Sequence, residues 1–392
     1  MPVKILRIIN RFNLGGPTFN AAYLTKYLPS DKYETLLVGG TKTESEAGSE
    51  FILNELGVEY RIIKSMSREV SLKNDYKAYK EICSIIEEYK PDIVHTHASK
   101  AGLLGRLAAK KYKVPVVVHT FHGHVFHSYF GKLKTNFYIN IERFLAKHTS
   151  KIIAISEIQK KELSQEFRIA PESKFTVIPL GFDLSRFLNA ERNYNSPLAQ
   201  KYDIQPDTVN ISIVGRLVPI KNHKLFIEAV ALLKNKTTKK IRAFIVGDGE
   251  LREELENFTQ SLNLKTGNDN SCDITFTSWI TQTQEIYSLT DIVALSSLNE
   301  GTPVSLIEAQ ASACPIVTTN AGGVKDIVFE NESTLIAEHN AEDFSAKLLK
   351  IIENQKFYSD NAEKVKSKIS QKFGYQRLVN DIDGLYTSLS KK

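Results

Sequence analysis

The stretch Asn299-Glu300-Gly301-Thr302-Pro303-Val304-Ser305-Leu306-Ile307-Glu308-Ala309 decides how this chain folds. Ahead of it, Ile292 to Leu295 is wholly apolar, the pattern of a strand buried in a parallel sheet. A polar turn with Gly301 and Pro303 follows, and then a helix-forming segment through Ala311. The order predicts strand, turn and helix. It sets Glu300 at the carboxyl end of the strand and Thr302, Pro303, Val304 and Ser305 at a helix N-terminus. Backbone N–H groups at such a terminus point outward and favour a bound phosphate. Ligands of open α/β sheets gather at that same edge. Glu308 lies a turn or so into the helix, so two carboxylates flank the anion site. That combination suits a ligand with both hydroxyls and phosphates, such as a nucleotide sugar. Taken alone, the stretch is read equally well as two solvated surface glutamates.

Outward from it, the same alternation fills the chain. The first half predicts strands at Lys4 to Ile9, Glu34 to Val38, Ile62 to Ile63, Ile93 to Thr96, Val114 to His119, Ile152 to Ile155 and Val177 to Ile178, with helices between. The second half restarts with strands at Asn210 to Val214, Arg242 to Val246, Ile274 to Phe276, Ile292 to Leu295 and Ile316 to Thr318, and then runs to the end as helices. Two βαβ-rich halves imply an α/β protein of two doubly wound, Rossmann-like domains facing across a cleft. Residues 186–206 have little periodicity and are assigned to a linker. The domains are then 1–185 and 207–370, with 371–392 a terminal helix crossing back to the first.

Composition narrows the class. The 392 residues are 42% hydrophobic and 24% charged, ordinary for a globular protein of two domains. Cys83, Cys272 and Cys314 are far apart and odd in number, which fits neither a disulfide framework nor a metal-ligand spacing. The first residues have too short an apolar core for a signal peptide, and no run is long enough to span a bilayer. A cytoplasmic protein is expected. The net charge of +6 is uneven: residues 100–151 hold ten Lys and Arg against one acid, Glu142. Such a face suits an anionic membrane surface, or has no partner at all. No aromatic-basic motif accompanies it, so a nucleic-acid partner is disfavoured.

Several strand-to-helix loops carry candidate ligand residues. Leu14-Gly15-Gly16-Pro17 follows the first strand, where residues without side chains let a backbone approach a phosphate or sugar. It lacks the full dinucleotide fingerprint, and no acid ends the second strand, so NAD is disfavoured. Gly215-Arg216-Leu217-Val218-Pro219-Ile220-Lys221 occupies the same place in the second half. There a fork from Arg216 and a point charge from Lys221 suit a diphosphate. Gly249 sits in Gly247-Asp248-Gly249 after the next strand; a simple turn explains it as well as a ligand does. Six of the nine histidines fall between His95 and His127, without the cysteines or acids a zinc site would add. His122 follows a buried strand and is placed to contact a reacting sugar or an acceptor hydroxyl, or to be structural only.

Glu300-x7-Glu308, Gly215-Arg216-Leu217 with Lys221, the Gly15-Gly16 loop and His122-Gly123 together resemble the retaining family 4 glycosyltransferases of the GT-B fold. Asp92-Ile93-Val94-His95-Thr96-His97, Val246-Gly247-Asp248-Gly249 and Ala321-Gly322-Gly323 extend the likeness over nearly the whole chain. The resemblance implies a nucleotide-sugar donor, with UDP favoured. Arg216 and Lys221 would bind the donor diphosphate, Glu300 the donor sugar, Glu308 the ribose, and Gly16 the phosphates and acceptor. His122, or His124 in an alternative register, would lie near the transferred sugar. It further implies no metal and no separate cofactor. His95 to Arg106 is similar to bacterial members that build surface polysaccharides on glycan or polyprenyl-linked acceptors. A peripheral position at the inner face of the plasma membrane follows, with Phe126, Tyr129, Phe130 and Phe137 beside the basic stretch. A GT-B-fold sugar-nucleotide epimerase is the alternative reading.

Overall fold

The structure, a computed structural model, describes residues 2–13, 16–41, 48–67, 69–123 and 131–390. The chain forms two compact units, 1–182 with 372–392, and 183–371.

The first unit holds seven strands: β1 (Val3–Arg11), β2 (Tyr33–Gly40), β3 (Tyr60–Ile63), β4 (Ile93–His97), β5 (Val116–Phe121), β6 (Lys151–Ala154) and β7 (Phe175–Val177). They run in the order β3-β2-β1-β4-β5-β6-β7, and every pairing is parallel. The order reverses direction between β1 and β4, and such a switch opens a ligand crevice at the carboxyl ends of those strands. The central strands are buried along their whole length, as a sheet covered on both faces requires. On one face Leu6, Ile8 and Val94 pack with the amphipathic Leu72–Tyr89 helix through Ala78, Ile82 and Ile86. On the other, Ile5, Ile93 and Val118 meet Leu24 and the last helix, Tyr375–Ser390, through Leu378, Ile382 and Tyr386.

The second unit repeats the plan with β8 (Val209–Val214), β9 (Ile241–Val246), β10 (Ile274–Ser278), β11 (Ile292–Leu295), β12 (Ile316–Thr319) and β13 (Thr334–Ala337). Their order is β10-β9-β8-β11-β12-β13, again all parallel, with the switch between β8 and β11. The helices His223–Lys234 and Ala341–Glu353 close one face over Ile211, Ile213 and Ile245.

Two readings of the sequence need correction. Residues 186–206 are not a free linker; they are part of the second unit. Ser196 caps the short Pro197–Lys201 helix by accepting from Ala199 N at 3.2 Å. Tyr202 and Ile204 are buried, and Arg192 pairs with Asp291 at 2.9 Å. A pattern set by caps and single buried side chains is too short to register as periodicity. The tail beyond β12 is not all helix either. Thr334–Ala337 forms the edge strand β13, in which Thr and Ala at the ends leave only Leu335 and Ile336 as an apolar signal.

Candidate functional site

In the second unit, the loops after β8 and β11 lie on either side of the switch point and are stitched together. Ser296 Oγ donates to the carbonyls of Lys221 (3.0 Å) and Asn222 (2.9 Å), and Leu298 N donates to Ile220 O at 2.9 Å. Lys221 then reaches back over Gly215: a Cβ built there would meet the Lys221 stem at 3.6 Å and its Nζ at 3.9 Å. The ammonium ends on Glu300, donating to Oε1 at 2.5 Å, where Ser297 Oγ also donates at 2.7 Å. So Gly215, Lys221 and Glu300 form one cluster. Arg216 stands beside it, exposed and without an ion pair among the described residues. A guanidinium with five donors and no internal carboxylate is free to bind an anion.

Close backbone contacts hold the surrounding loops. Gly322 has φ +51°, and a Cβ on it would sit 2.1 Å from the carbonyl oxygen of Glu300. On Gly323 it would sit 1.9 Å from that of Gly301, and Gly323 N donates to Glu300 O at 2.9 Å. The loop after β12 therefore clamps the backbone that carries Glu300. Gly249 does the same on the other side: a Cβ there would come within 2.5 Å of Leu217 O, and Leu217 N donates to Asp248 O at 3.0 Å. Its role is to seat the loop of Arg216.

The helix after β11 runs Val304–Ala311, with Pro303 at the N-cap and no side-chain cap. Thr302 precedes it, and Val304 and Ser305 lie in its first turn, all partly exposed. The first N–H groups of a helix have no intrahelical partner, so this end attracts an anion. Glu308 is a turn further on and half-buried. Its Oε2 accepts from Tyr287 OH at 3.3 Å. Burial pushes the Glu308 carboxyl up to about 7, against opposing pulls from Arg186 and the Tyr287 hydrogen bond. Ser297, Tyr287 and Arg186 escaped the sequence reading, because each is defined by how the loops and helices place it against a glutamate: Ser297 and Tyr287 by a hydrogen bond, Arg186 by its charge.

In the first unit, Gly16 opens the Gly16–Tyr27 helix, and Pro17 is tolerated in its first turn. A Cβ on Gly16 would meet only Leu180 Cδ1, at 3.5 Å, so the position is not crowded. Gly15 and His124, like Phe126, Tyr129 and Phe130, lie outside the described residues. His122 follows β5 directly, at the carboxyl edge beside β4. Its Nε2 lies 2.9 Å from His97 Nδ1, and the two rings stack with centroids 5.1 Å apart. Burial lowers His122 to about 3 and holds His95 and His97 well below the usual imidazole value, so all three are neutral. Asp381 and Asp383 are occupied on the terminal helix, by Arg377 at 2.8 Å and by Lys32 at 3.0 Å.

Two doubly wound units, one carrying an uncapped helix end, two basic side chains and two carboxylates at its switch point, define a GT-B-type α/β protein. Residues 14–186 match the model of Glycosyltransferase Family 4, and residues 197–368 that of Glycosyl transferases group 1. The chain is 31% identical over 336 residues to the UDP-Gal:alpha-D-GlcNAc-diphosphoundecaprenol alpha-1,3-galactosyltransferase of Escherichia coli, with 83% of each chain covered. It is 26% identical to the capsular polysaccharide biosynthesis glycosyltransferase CapM of Staphylococcus aureus, over 83% of this chain and 84% of that one. The crystal structure of Anabaena HepE in complex with UDP superposes with a TM-score of 0.80 at 19% identity, covering 98% of this chain and 100% of the other. The chain belongs to the family 4 glycosyltransferases.

Proposed function

We propose that this glycosyltransferase moves a hexose or N-acetylhexosamine from a UDP-sugar to a lipid-linked glycan acceptor, with retention and without a metal ion. The Lys221–Glu300 cluster beside exposed Arg216 and an uncapped helix end carries this reading. A departing diphosphate develops negative charge. Arg216, Lys221 and the N–H groups of Val304 and Ser305 would neutralise it without a cation. Lys221 would leave its ion pair for the phosphate, releasing Glu300 for the sugar hydroxyls. Glu308 would take the ribose diol, and Gly16 and His122 would face the acceptor and the reacting sugar. The E. coli relative supports a UDP-hexose and a diphosphate-polyprenol acceptor.

A peripheral position at the membrane rests on one helix. Lys132–Ala146 exposes Leu133, Phe137 and Phe144, with Lys110 over the Phe144 ring at 4.6 Å. The single acid of the basic stretch, Glu142, is buried against Arg106 at 2.7 Å, which leaves the surface of that stretch without a carboxylate. Such a face favours anionic lipid.

The deciding experiment incubates the protein and UDP-galactose, UDP-glucose or UDP-N-acetylglucosamine in EDTA, with and without GlcNAc-diphosphate-undecaprenol. Acceptor-dependent UDP release from one donor is expected. Conversion of the donor without acceptor would instead mark an epimerase, and a requirement for added Mg²⁺ would overturn the metal-free mechanism.

A further inference from the structure

The hydrogen bond between His97 and His122 has no place in the donor chemistry above. We infer that His97 is a positioning residue: it fixes the ring orientation and tautomer of His122. The inference rests on the reading of His122 as the residue that faces the reacting sugar.

His122 is weakly supported by its own backbone. Gly123 follows it at φ +149°, and a Cβ on that glycine would meet nothing within 4 Å among the described residues. The one side-chain hydrogen bond of His122 among the described residues is the 2.9 Å contact to His97 Nδ1, reinforced by ring stacking at 26°. Its other nitrogen, Nδ1, is buried and has no partner among the described residues. That nitrogen is the one left for a substrate.

His97, by contrast, is held by burial and stacking, although its Nε2 has no hydrogen-bond partner among the described residues. It is fully buried on β4, and its ring stacks on His95 with centroids 4.2 Å apart. His95 is fixed in turn. Arg7 Nη1, which can only donate, lies 2.9 Å from His95 Nδ1, so that nitrogen accepts. The His95 proton therefore sits on Nε2 and is donated to Thr120 Oγ1 at 2.8 Å. Tyr386 OH completes the lock, donating to His95 Nδ1 at 2.6 Å. Rigidity thus passes from Arg7 and Tyr386 through His95 and His97 to a ring at the sheet's edge. Orienting partners of this kind commonly set the tautomer of a working histidine. Because one proton lies between His97 Nδ1 and His122 Nε2, the two tautomers are coupled: with that proton on His97, His122 Nδ1 donates, and with it on His122 Nε2, Nδ1 accepts.

The test uses the full chain and steady-state transfer from the active UDP-sugar to GlcNAc-diphosphate-undecaprenol. His97→Phe keeps the shape and the stacking but removes the hydrogen bond. It should lower kcat about tenfold to a hundredfold with the donor KM little changed, the scale of a small misplacement at a reacting centre. His97→Asn places an amide where Nδ1 was and should recover most of that loss. His97→Gln, whose amide reaches the Nε2 position, should not. In a His122→Ala background, His97→Phe should cause no further loss, because a residue acting only through another has nothing left to act on. Additive losses, or equal rates for His97→Asn and His97→Gln, overturn the inference. If His97→Phe fails to fold, the Asn and Gln pair decides alone. If His122→Ala itself transfers at the wild-type rate, the sugar-facing role of His122 is what fails.

Discussion

Glu308 would give the proposed donor site a measurable electrostatic signature. Burial raises its carboxyl to about 7 from an ordinary 4.5, so near neutral pH it is about half protonated in the free protein. A ribose diol offers two hydroxyl donors, and donation to a carboxylate favours the charged form. If binding restores an ordinary value of about 4.3, roughly 0.9 proton leaves per site at about pH 6, roughly 0.5 at about pH 7 and roughly 0.1 at about pH 8. Affinity should then rise about thirtyfold from about pH 5.5 to about pH 8, roughly 2 kcal/mol. The linkage also acts on the empty protein. A raised carboxyl contributes stability below its unfolded value that is lost as pH rises through the folded one. The free protein should therefore lose up to about 3 kcal/mol between about pH 4.5 and pH 7, less what solvent screens at a half-buried group.

The assay is titration calorimetry with a UDP-sugar in buffers of different ionisation enthalpy. A UDP-sugar is preferred to UDP, whose terminal phosphate would titrate near ~6 and mask the effect. The slope of observed heat against buffer enthalpy counts protons. Glu308→Gln should abolish the slope and flatten the pH dependence while weakening binding. Proton uptake on binding would mean that Glu308 serves as a neutral donor, and an unchanged slope in Glu308→Gln would remove it from the ribose site altogether.

Two further outcomes follow from the cluster at β8 and β11. Lys221→Ala should lower kcat by about a hundredfold or more with a smaller change in donor KM, since the ammonium matters most when diphosphate charge develops; wild-type turnover would sink its role. Gly323→Ala should lower the thermal midpoint by an amount equivalent to about 2 kcal/mol or more and abolish transfer, because the new Cβ would lie 1.9 Å from a backbone oxygen. Gly301→Ala, with nothing within 4 Å of its Cβ, should do neither.

Much of this was legible in the sequence because parallel strands announce themselves. Ile292–Leu295 is apolar throughout and Ile241–Val246 is apolar but for Arg242, and the turns between strand and helix carry Gly and Pro. The positions of Glu300, Lys221, Arg216 and Glu308 followed from strand ends alone. Contacts between loops did not. Ser297 on Glu300, Tyr287 on Glu308 and His97 on His122 join residues between 3 and 25 apart, and no periodicity encodes them. The segment 186–206 was hidden for a related reason: its order comes from Arg192, Tyr202 and Ile204 docking on the second unit, not from any repeating pattern.

The glycines show how the two levels meet. Gly215 is read from the sequence as part of a diphosphate loop, Gly249 as a turn or a ligand residue, and Gly322 and Gly323 by resemblance; the last three are backbone contacts that any Cβ would break. Gly215 is the exception, and its place is taken by the stem of Lys221. A Cβ at 215 would touch that stem at ordinary van der Waals distance, so only a side chain longer than a methyl would displace it, and with it the ammonium now held on Glu300. The cation is therefore positioned twice, by the packing of its stem over Gly215 and by a carboxylate ahead. Only the carboxylate contact can be exchanged for a phosphate without disturbing the fold. That asymmetry is what a donor site needs: a charge aimed in advance, and held by a partner it can leave.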